Sequence, residues 1–533
     1  MKSFLSRFGS MISFVLSGFD RLRFCGESRL LNNARGVDSY LYQQKVRYVD
    51  AVDHFASLTK TLSKQTIQAA AQEGVPLQHL NSAAIDKEAL ALELAHRDRS
   101  TAIPAANPTV VAAPASGRIA VFSCVESCST YRLRKNTDGL LKPRKEQAKC
   151  LHYYHYFLHP QLGLLYVRVQ SWFPFTVRVG MNGRQWLYRQ LENRGIAFER
   201  RRNLLLSVAN PEQAQEILDQ QRRTDWTTTL DDLVRPLQPL TPYLYDHART
   251  PYHWMTEQSE WATDFMFREP ADLAVWYPRF VRHGLETLGC KDVLRFLGKK
   301  VPENSYGNCT GEVKIDARDR GEGTRVKFWY NTDSLKMYDK DARGFRVEAT
   351  VNHPQGFKVF RNKEGEDENA PKKWRPMRKG VADFDRRAEV SDAANRRLIE
   401  SLATVAETKT FGALLKPLGQ PVMDQGKRKA RALNPTTGPD GALLRTLAQG
   451  EWLINGFRNR DLRETLHGAC EEPAERRRQA AQVTRQLTLL RAHGLIVKVP
   501  KTHRYHLSAS GRRVATVLLA AQACDVSRLT SNS

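Results

Sequence analysis

The sequence predicts a multidomain α+β protein, with a helical N-terminal region and a mixed α/β core that contains an antiparallel sheet. Two patterns lead to this prediction. Apolar residues recur at helical spacing within 49–73, whereas apolar and polar residues alternate within 334–351, as they do in strands. A chain of 533 residues can form roughly three or four domains. We therefore expect helical and sheet-forming regions to follow one another along the chain.

The element pattern divides the chain into four predicted domains. Two stretches rich in turn-forming residues, 100–117 and 425–441, interrupt the helix and strand patterns and act as linkers. The predicted domains are a helical N-terminal region at 1–99, an α+β domain at 119–225, a helical segment with a β-hairpin core at 226–424, and a C-terminal domain at 441–520.

The charge balance indicates a polyanionic partner. The chain has 82 Lys and Arg residues against 57 Asp and Glu residues, a net charge of +25. A protein this basic most often binds nucleic acid, and an anionic membrane surface is the second candidate. The eight cysteines are scattered, which favours a reducing, cytoplasmic environment over a disulfide framework.

The apolar run at 8–19 is the only stretch that resembles a targeting or membrane segment. Twelve residues are too few to span a bilayer, and no small-residue cleavage site follows them. We expect this run to form a buried or amphipathic helix, and we expect no membrane partner.

Residues 334–351 predict a β-hairpin that presents a chemically active face. The turn lies at 341–344, where Gly344 is free to adopt a positive φ. The apolar residues of both strands share the buried face, and Lys336, Tyr338, Arg346 and Glu348 share the opposite face. Asp339 stands at the strand end, and a phenol, two cations and two carboxylates on one rigid platform suit phosphodiester chemistry. Cross-strand Lys–Glu pairs also stabilise sheets that have no catalytic role.

The hairpin sequence resembles a motif in the replication initiators of rolling-circle plasmids and some phages. The matching residues are Lys336-Met337-Tyr338-Asp339-Lys340 and Arg346-Val347-Glu348, and the resemblance is confined to 324–352. It implies a DNA-nicking tyrosine and carboxylates that hold a divalent cation. Carried over to this chain, it places Asp339 and Glu348 as ligands of Mg²⁺ or Mn²⁺. Tyr338 is the candidate nucleophile, and Tyr306 and Tyr330 are alternatives.

The whole chain is also similar to a widespread family of uncharacterised bacterial proteins that occur in many copies in some genomes. The segments that carry the similarity are SGFDRLRFCG, SCVESC, QSEWATDFMF, LKMYDK and GFRNRDL. Multiple copies would suit a mobile element, and the family implies no activity.

The C-terminal domain has the element order of a winged helix. Helices are predicted at 442–448, from 460, and at 473–493, and strands follow at 495–499 and 504–507. Between positions 457 and 513, thirteen Lys and Arg residues face five Asp and Glu residues, a net charge of +8. The charge favours DNA binding over protein contacts. The predicted nucleic-acid-binding residues of the hairpin and of this domain are Lys336, Lys340, Arg346, Arg458, Arg460, Arg485, Arg491, Lys498, Lys501 and Arg504.

Three further patterns are candidates for binding. Cys124, Cys128, Cys150 and His152 could supply four ligands to zinc, although buried small residues are the default for such cysteines. The aromatic and histidine run at 149–160 could stack nucleic-acid bases or simply pack in a strand. Glu257, Glu260 and Asp264 would lie on one side of a helix and could hold a metal ion. Acidic residues in this arrangement more often form a solvent-exposed helix face that binds no metal.

The sequence therefore predicts a DNA-binding protein of a mobile element or replicon that processes DNA by metal-dependent nicking or strand transfer. Its predicted catalytic residues are Tyr338, Asp339 and Glu348, of which Asp339 and Glu348 also bind the metal. The alternative is a non-enzymatic nucleic-acid-binding protein, either a DNA regulator or an RNA binder.

Overall fold

The computed structural model describes residues 1–97, 117–299, 312–320, 323–363, 371–405, 411–424, 428–447, 452, 456–500 and 502–522. The chain divides into two compact units, each of which is discontinuous in sequence. The first unit comprises Met1–Val15, Ala262–Lys358 and Glu389–Ser533, and the second comprises Leu16–Trp261 and Val359–Ala388.

The first half of the chain alternates helices with long strands. Its elements are α1 (Lys2–Phe8), β1 (Ile12–Ser28), α2 (Ala34–Gln43), α3 (Ala51–Gln72), β2 (Leu77–Leu80), α4 (Lys87–Arg97), β3 (Arg118–Lys135), β4 (Leu141–His159), β5 (Gly163–Gln170), β6 (Val177–Asn182), α5 (Gly183–Asn193), β7 (Phe198–Arg201), β8 (Leu204–Val208), α6 (Pro211–Arg223), α7 (Trp226–Val234) and β9 (Tyr252–Phe267).

The second half begins with helices and strands and ends in a mainly helical segment. Its elements are α8 (Pro270–Glu286), α9 (Cys290–Phe296), β10 (Val313–Arg320), β11 (Gly323–Tyr330), β12 (Asp333–Lys340), β13 (Gly344–Val351), β14 (Lys358–Arg361), β15 (Lys373–Pro376), α10 (Phe384–Leu402), α11 (Phe411–Leu415), β16 (Val422–Asp424), β17 (Arg428–Ala430), α12 (Gly438–Leu447), α13 (Asn459–His467), α14 (Pro473–Ala492), β18 (Ile496–Lys498), β19 (Tyr505–Leu507) and α15 (Ala509–Gln522).

The chain is a mixed α/β protein with a large β-sheet. In the second unit the strand order is β9-β1-β6-β5-β4-β3-β2. The pairs β1–β6, β6–β5, β5–β4 and β4–β3 are antiparallel, whereas β2 runs parallel to β3, so the sheet is mixed. None of the described helices is long and apolar enough to cross a membrane.

In the first unit, β10, β11, β12 and β13 form an antiparallel meander. Apolar residues of one meander face join those of α8, α9 and α10 in a single core. Representative members are Val326, Met337, Val347, Phe280 and Leu398, all of which are fully buried. The meander has one apolar face because apolar residues alternate along its strands. Each helix has one apolar face because its apolar residues recur about every 3.6 positions, and these faces pack together.

The C-terminal part of the first unit has its own apolar cluster, formed by α12, α13, α14 and the hairpin β18–β19. Before α13, Phe457 forms an isolated antiparallel β-bridge with Tyr505 of β19. Val483, Leu487 and Leu490 recur along α14 at helical spacing and face this cluster.

Several sequence predictions agree with these elements. The helices expected at 49–73 and 473–493 and the hairpin at 334–351 are confirmed within a few residues. The turn is built differently from the prediction, because Asp341 and Ala342 take positive φ values of 52° and 56° and Gly344 does not.

Two predicted helices are wrong. Residues 12–28 form the strand β1, although a helix was expected over 8–19, and residues 252–267 form the strand β9. The partner of β1 is β6, which pairs Phe24 with Val179. A partner about 150 residues away contributes no local signal, so the apolar run alone favours the wrong element. The two units also cut across the predicted domains, since residues 1–15 belong with 262–358.

Candidate functional site

The hairpin β12–β13 brings Tyr338 and Glu348 to one face of the first unit. The register pairs Lys336 with Glu348 and Tyr338 with Arg346, so these four residues share a face. The opposite face carries the apolar core. The predicted division of the hairpin into two faces is therefore confirmed by the strand register.

Glu348 is the centre of a buried polar network. The Tyr338 hydroxyl donates a hydrogen bond of 3.1 Å to Oε2 of Glu348. The Lys336 ammonium lies 2.5 Å from Oε1 of the same carboxylate. Glu348 is fully buried and Tyr338 is 8% exposed. A carboxylate in this position can hold the phenol in one orientation and can accept its proton.

Two ammonium groups flank the Tyr338 ring. Lys336 Nζ lies 6.0 Å and Lys340 Nζ 5.7 Å from the ring centroid, within cation–π range. Positive charge beside a phenol favours its phenolate form. The network thus contains the two components that a tyrosine nucleophile needs, a proton acceptor and stabilising cations.

Asp339 does not join this network. It pairs with Phe345, whose side chain lies in the apolar core, so Asp339 is on the face opposite Tyr338. Burial raises the pKa of its carboxyl group. The predicted pairing of Asp339 with Glu348 at one metal is therefore not formed, because neighbouring residues on a strand point to opposite faces.

Two carboxylates of the second unit lie close together. Carboxylate oxygens of Asp20 on β1 and Glu260 on β9 are within 4.8 Å of one another. Glu260 belongs to the predicted acidic set, whereas the sequence alone indicated no role for Asp20.

The predicted acidic helix set is not formed because its residues lie on a strand. Glu257, Glu260 and Asp264 lie on β9, where the i, i+3 and i+7 spacing does not bring side chains together as it does on a helix. Glu257 accepts a hydrogen bond from Arg178 at 2.9 Å and forms an ion pair with Arg23 at 2.8 Å. Asp264 forms an ion pair with Arg346.

Two predicted nucleic-acid-binding residues of the hairpin are buried. Arg346 has no exposed surface and Lys340 is 1% exposed. The Arg346 Nη2 donates to Asp264 Oδ2 at 2.9 Å. In this structure Arg346 therefore serves a structural ion pair, and neither side chain presents its charge to a ligand. The Lys336 side chain is 17% exposed, so part of it remains accessible to solvent.

The cations of the C-terminal segment lie at the surface. Arg485, Arg491 and Lys498 are exposed, Arg460 is exposed at the start of α13, and Lys501 lies outside the described residues. The remaining two predicted residues, Arg458 and Arg504, are half-buried. Tyr306, one of the alternative nucleophiles, also lies outside the described residues, and Tyr330 ends β11.

The four zinc candidates lie on one face of the strand pair β3–β4. Cys124 pairs with His152, and Cys128 and Cys150 lie further along the same face, so the four form a row. Cys150 Sγ is 3.9 Å from His152 Nε2. Burial lowers the pKa of His152 to about 3 and raises that of Cys150. Within the described residues these side chains do not converge as a metal-binding group.

The aromatic run at 149–160 forms part of β4. Tyr153, Tyr156 and His155 are buried, and the hydroxyl of Tyr154 donates 2.8 Å hydrogen bonds to Glu126. These side chains pack within the second unit, as the packing alternative for this segment predicted.

No protein-family model, curated protein or solved structure matches this chain.

Proposed function

We propose that the protein binds duplex DNA through a winged helix formed by residues 441–520. The order of elements supports this proposal: α12, α13, α14 and the hairpin β18–β19 follow the winged-helix plan, and a β-bridge joins Phe457 to the hairpin. Their shared apolar cluster shows that they pack as one body.

The surface of α14 is the observation that carries the proposal. Val483, Leu487 and Leu490 occupy the buried side. Arg478 and Arg485 are separated by seven residues, or two helical turns, and lie together on the exposed side. In a winged helix this second helix of the helix-turn-helix enters the major groove, where guanidinium groups contact phosphates and guanine.

Salt-dependent binding to a fluorescent duplex tests this proposal. Each phosphate contact that is lost should reduce the slope of log K against log salt by about 0.9. We expect Arg478→Gln and Arg485→Gln each to weaken binding and lower the slope. The matched control is Arg282→Gln in α8, because the Arg282 side chain is 78% exposed. Unchanged affinity and slope in both α14 variants would exclude α14 as the binding helix.

The hairpin network supports a second candidate function, namely metal-dependent DNA nicking or strand transfer of the kind used by mobile elements and replicons. The supporting observation is the hydrogen bond from Tyr338 to Glu348 beside the Lys336 ammonium. In the proposed step the Tyr338 oxygen bonds to the scissile phosphorus, the bond from phosphorus to the 3′ oxygen breaks, and the phenol proton passes to Glu348. Water protonates the departing 3′ oxygen.

Carboxylate oxygens favour Mg²⁺ or Mn²⁺, which would polarise the phosphate. Of the predicted ligands, Glu348 fits such an ion, because its buried carboxylate lies beside the Tyr338 hydroxyl. Its contact with Lys336 implies competition between ammonium and cation for the same oxygens.

Conversion of supercoiled plasmid to the nicked form with Mg²⁺ or Mn²⁺ tests the second function. We expect Tyr338→Phe to abolish nicking and Glu348→Gln to reduce it, while Tyr42→Phe serves as the tyrosine control, because Tyr42 is exposed on the second unit. Nicking by Tyr338→Phe at the wild-type rate would remove the proposed nucleophile. Duplex binding with no cleavage by the wild-type protein would favour the non-enzymatic regulator, and tighter binding to RNA would favour the RNA binder.

A further inference from the structure

The two-stranded ribbon β14–β15 of the second unit carries an exposed aromatic pair. Phe360 and Trp374 are 44% and 37% exposed, and their ring centroids are 5.3 Å apart with an interplanar angle of 48°. Two neighbouring aromatic side chains at the surface expose apolar ring area that a ligand can cover. The pair therefore presents two ring surfaces to a ligand.

A cluster of cations lies at the base of the same ribbon. The Asp383 side chain has no exposed surface and forms ion pairs with three guanidinium groups. The contacts are 2.9 Å from Arg378, 3.3 Å from Arg361 and 3.4 Å from Arg386. Arg378 and Arg386 are 28% and 29% exposed, so their guanidinium groups reach solvent.

Further cations extend this cluster. Arg375 lies close enough to Arg361 to repel it, and burial together with the surrounding guanidinium groups lowers the pKa of Arg361. Over residues 371–387 the sequence carries seven Lys and Arg residues against two Asp residues. Residues 364–370, which connect β14 to β15, lie outside the described residues.

The ribbon joins the aromatic pair to the cations. Arg361 follows Phe360 directly, and its Nη2 donates to the Pro376 carbonyl oxygen at 2.8 Å, two residues beyond Trp374. The two aromatic rings and the arginines thus lie close together on the ribbon β14–β15. A single-stranded nucleic acid matches this surface, because its bases can stack on the rings and its phosphates can contact the arginines.

We propose that the ribbon β14–β15 binds single-stranded DNA, with bases stacked on Phe360 and Trp374 and phosphates held by Arg375, Arg378 and Arg386. Stacking on side chains requires unpaired bases, which excludes an intact duplex. The choice of DNA over RNA rests on the proposed function, whereas the stacking surface does not depend on the winged helix.

The alternative is that the aromatic pair only stabilises the ribbon, as cross-strand aromatic pairs do. The two interpretations predict different effects of substitution. A stacking residue affects oligonucleotide affinity in the folded protein, whereas a purely structural residue affects stability alone.

Binding of a fluorescent oligo(dT) of twenty nucleotides to the full chain tests the proposal. Loss of one stacked base should weaken binding about 5- to 150-fold, which we expect for Phe360→Ala and for Trp374→Ala. Phe360→Tyr and Trp374→Phe keep an aromatic ring and should restore most of the affinity. Tyr42→Ala is the matched control, because Tyr42 is another exposed aromatic residue of the second unit, at 85% exposure.

Tryptophan fluorescence gives an independent measurement, since stacking of a base on Trp374 should quench it in the wild type and not in Trp374→Leu. Unchanged oligo(dT) affinity in both alanine variants, with folding confirmed by circular dichroism, would overturn the proposal. Tighter binding of oligo(rU) than of oligo(dT) would overturn the assignment to DNA. Loss of oligo(dT) binding in the ribbon variants, in a protein that never binds duplex, would uphold this site and refute the winged-helix function.

Discussion

The Arg346 guanidinium and the Asp264 carboxylate form a two-point ion pair in the interior of the first unit. Nη2 lies 2.9 Å from Oδ2, and Nε donates to Oδ1. Arg346 has no exposed surface and Asp264 is 6% exposed. The pair joins β9 to β13 through side chains that the sequence separates by 82 positions. Its geometry matches the fork of a guanidinium to the two oxygens of a carboxylate.

We expect Arg346→Met to destabilise the protein by about 3–5 kcal/mol, because it leaves the buried Asp264 charge without this partner. Asp264→Leu should cost a similar amount for the same reason. The double variant should cost less than the sum of the two single variants, since it removes both charges. Urea unfolding of the three variants measures this coupling. Strictly additive costs would contradict it.

Stability should fall as the pH falls from 6.5 towards 3, because His155 is buried in the neutral form. Burial lowers the pKa of His155 to about 3, and the side chain is 1% exposed. In the unfolded chain His155 has the ordinary histidine pKa of about 6.5. Between pH 6.5 and pH 3 the unfolded chain therefore binds a proton at His155 that the folded chain does not bind. Stability therefore decreases with falling pH by up to about 1.4 kcal/mol per pH unit for one such group. Above pH 6.5 the contribution is constant.

Thermal unfolding from pH 8 to pH 4 checks this dependence. His155→Phe keeps an aromatic ring and removes the titration, so its stability should vary less below pH 6.5. His152, whose pKa is also lowered to about 3, should keep part of the slope in that variant. An identical pH profile in the wild type and in His155→Phe would contradict the assignment.

The cysteines should differ strongly in their reactivity towards iodoacetamide. Burial raises the pKa of Cys25 to about 12, so little thiolate forms at pH 8. The hydrogen bond with Cys128 raises the pKa of Cys150, and burial raises it further. Cys290 is exposed. We expect mass spectrometry of the native protein to show modification at Cys290 well before Cys25 and Cys150. Labelling in urea is the control, and equal native rates would contradict the burial.

Gly511 should tolerate no side chain. A Cβ atom there would lie 1.9 Å from the carbonyl oxygen of Leu495, the residue that precedes β18. The helix α15 would therefore have to move away from Leu495. We expect Gly511→Ala to destabilise the protein by about 1–3 kcal/mol. Gly412→Ala is the control, because its Cβ would meet no atom within 4 Å and alanine favours the helical backbone. A Gly511→Ala protein as stable as Gly412→Ala would contradict this close packing.

Local patterns predicted several elements correctly. The hairpin β12–β13 follows from its alternation, because each strand carries a complete apolar face and the connection is short. Its turn was harder to predict, since Asp341 and Ala342 adopt the left-handed region that usually favours glycine. The strands β1 and β9 were missed because strand formation depends on distant partners, whereas helix formation depends on nearby residues.

The sequence by itself determined which residues share a face of the hairpin. The spacing of Tyr338 and Glu348 already places them opposite the core, and the register confirms it. Only the tertiary structure decided what each charged side chain meets, as when Arg346 of β13 pairs with Asp264 of β9. The physical reason is that a strand specifies the direction of its side chains through its own period, while their partners come from strands that are remote in sequence.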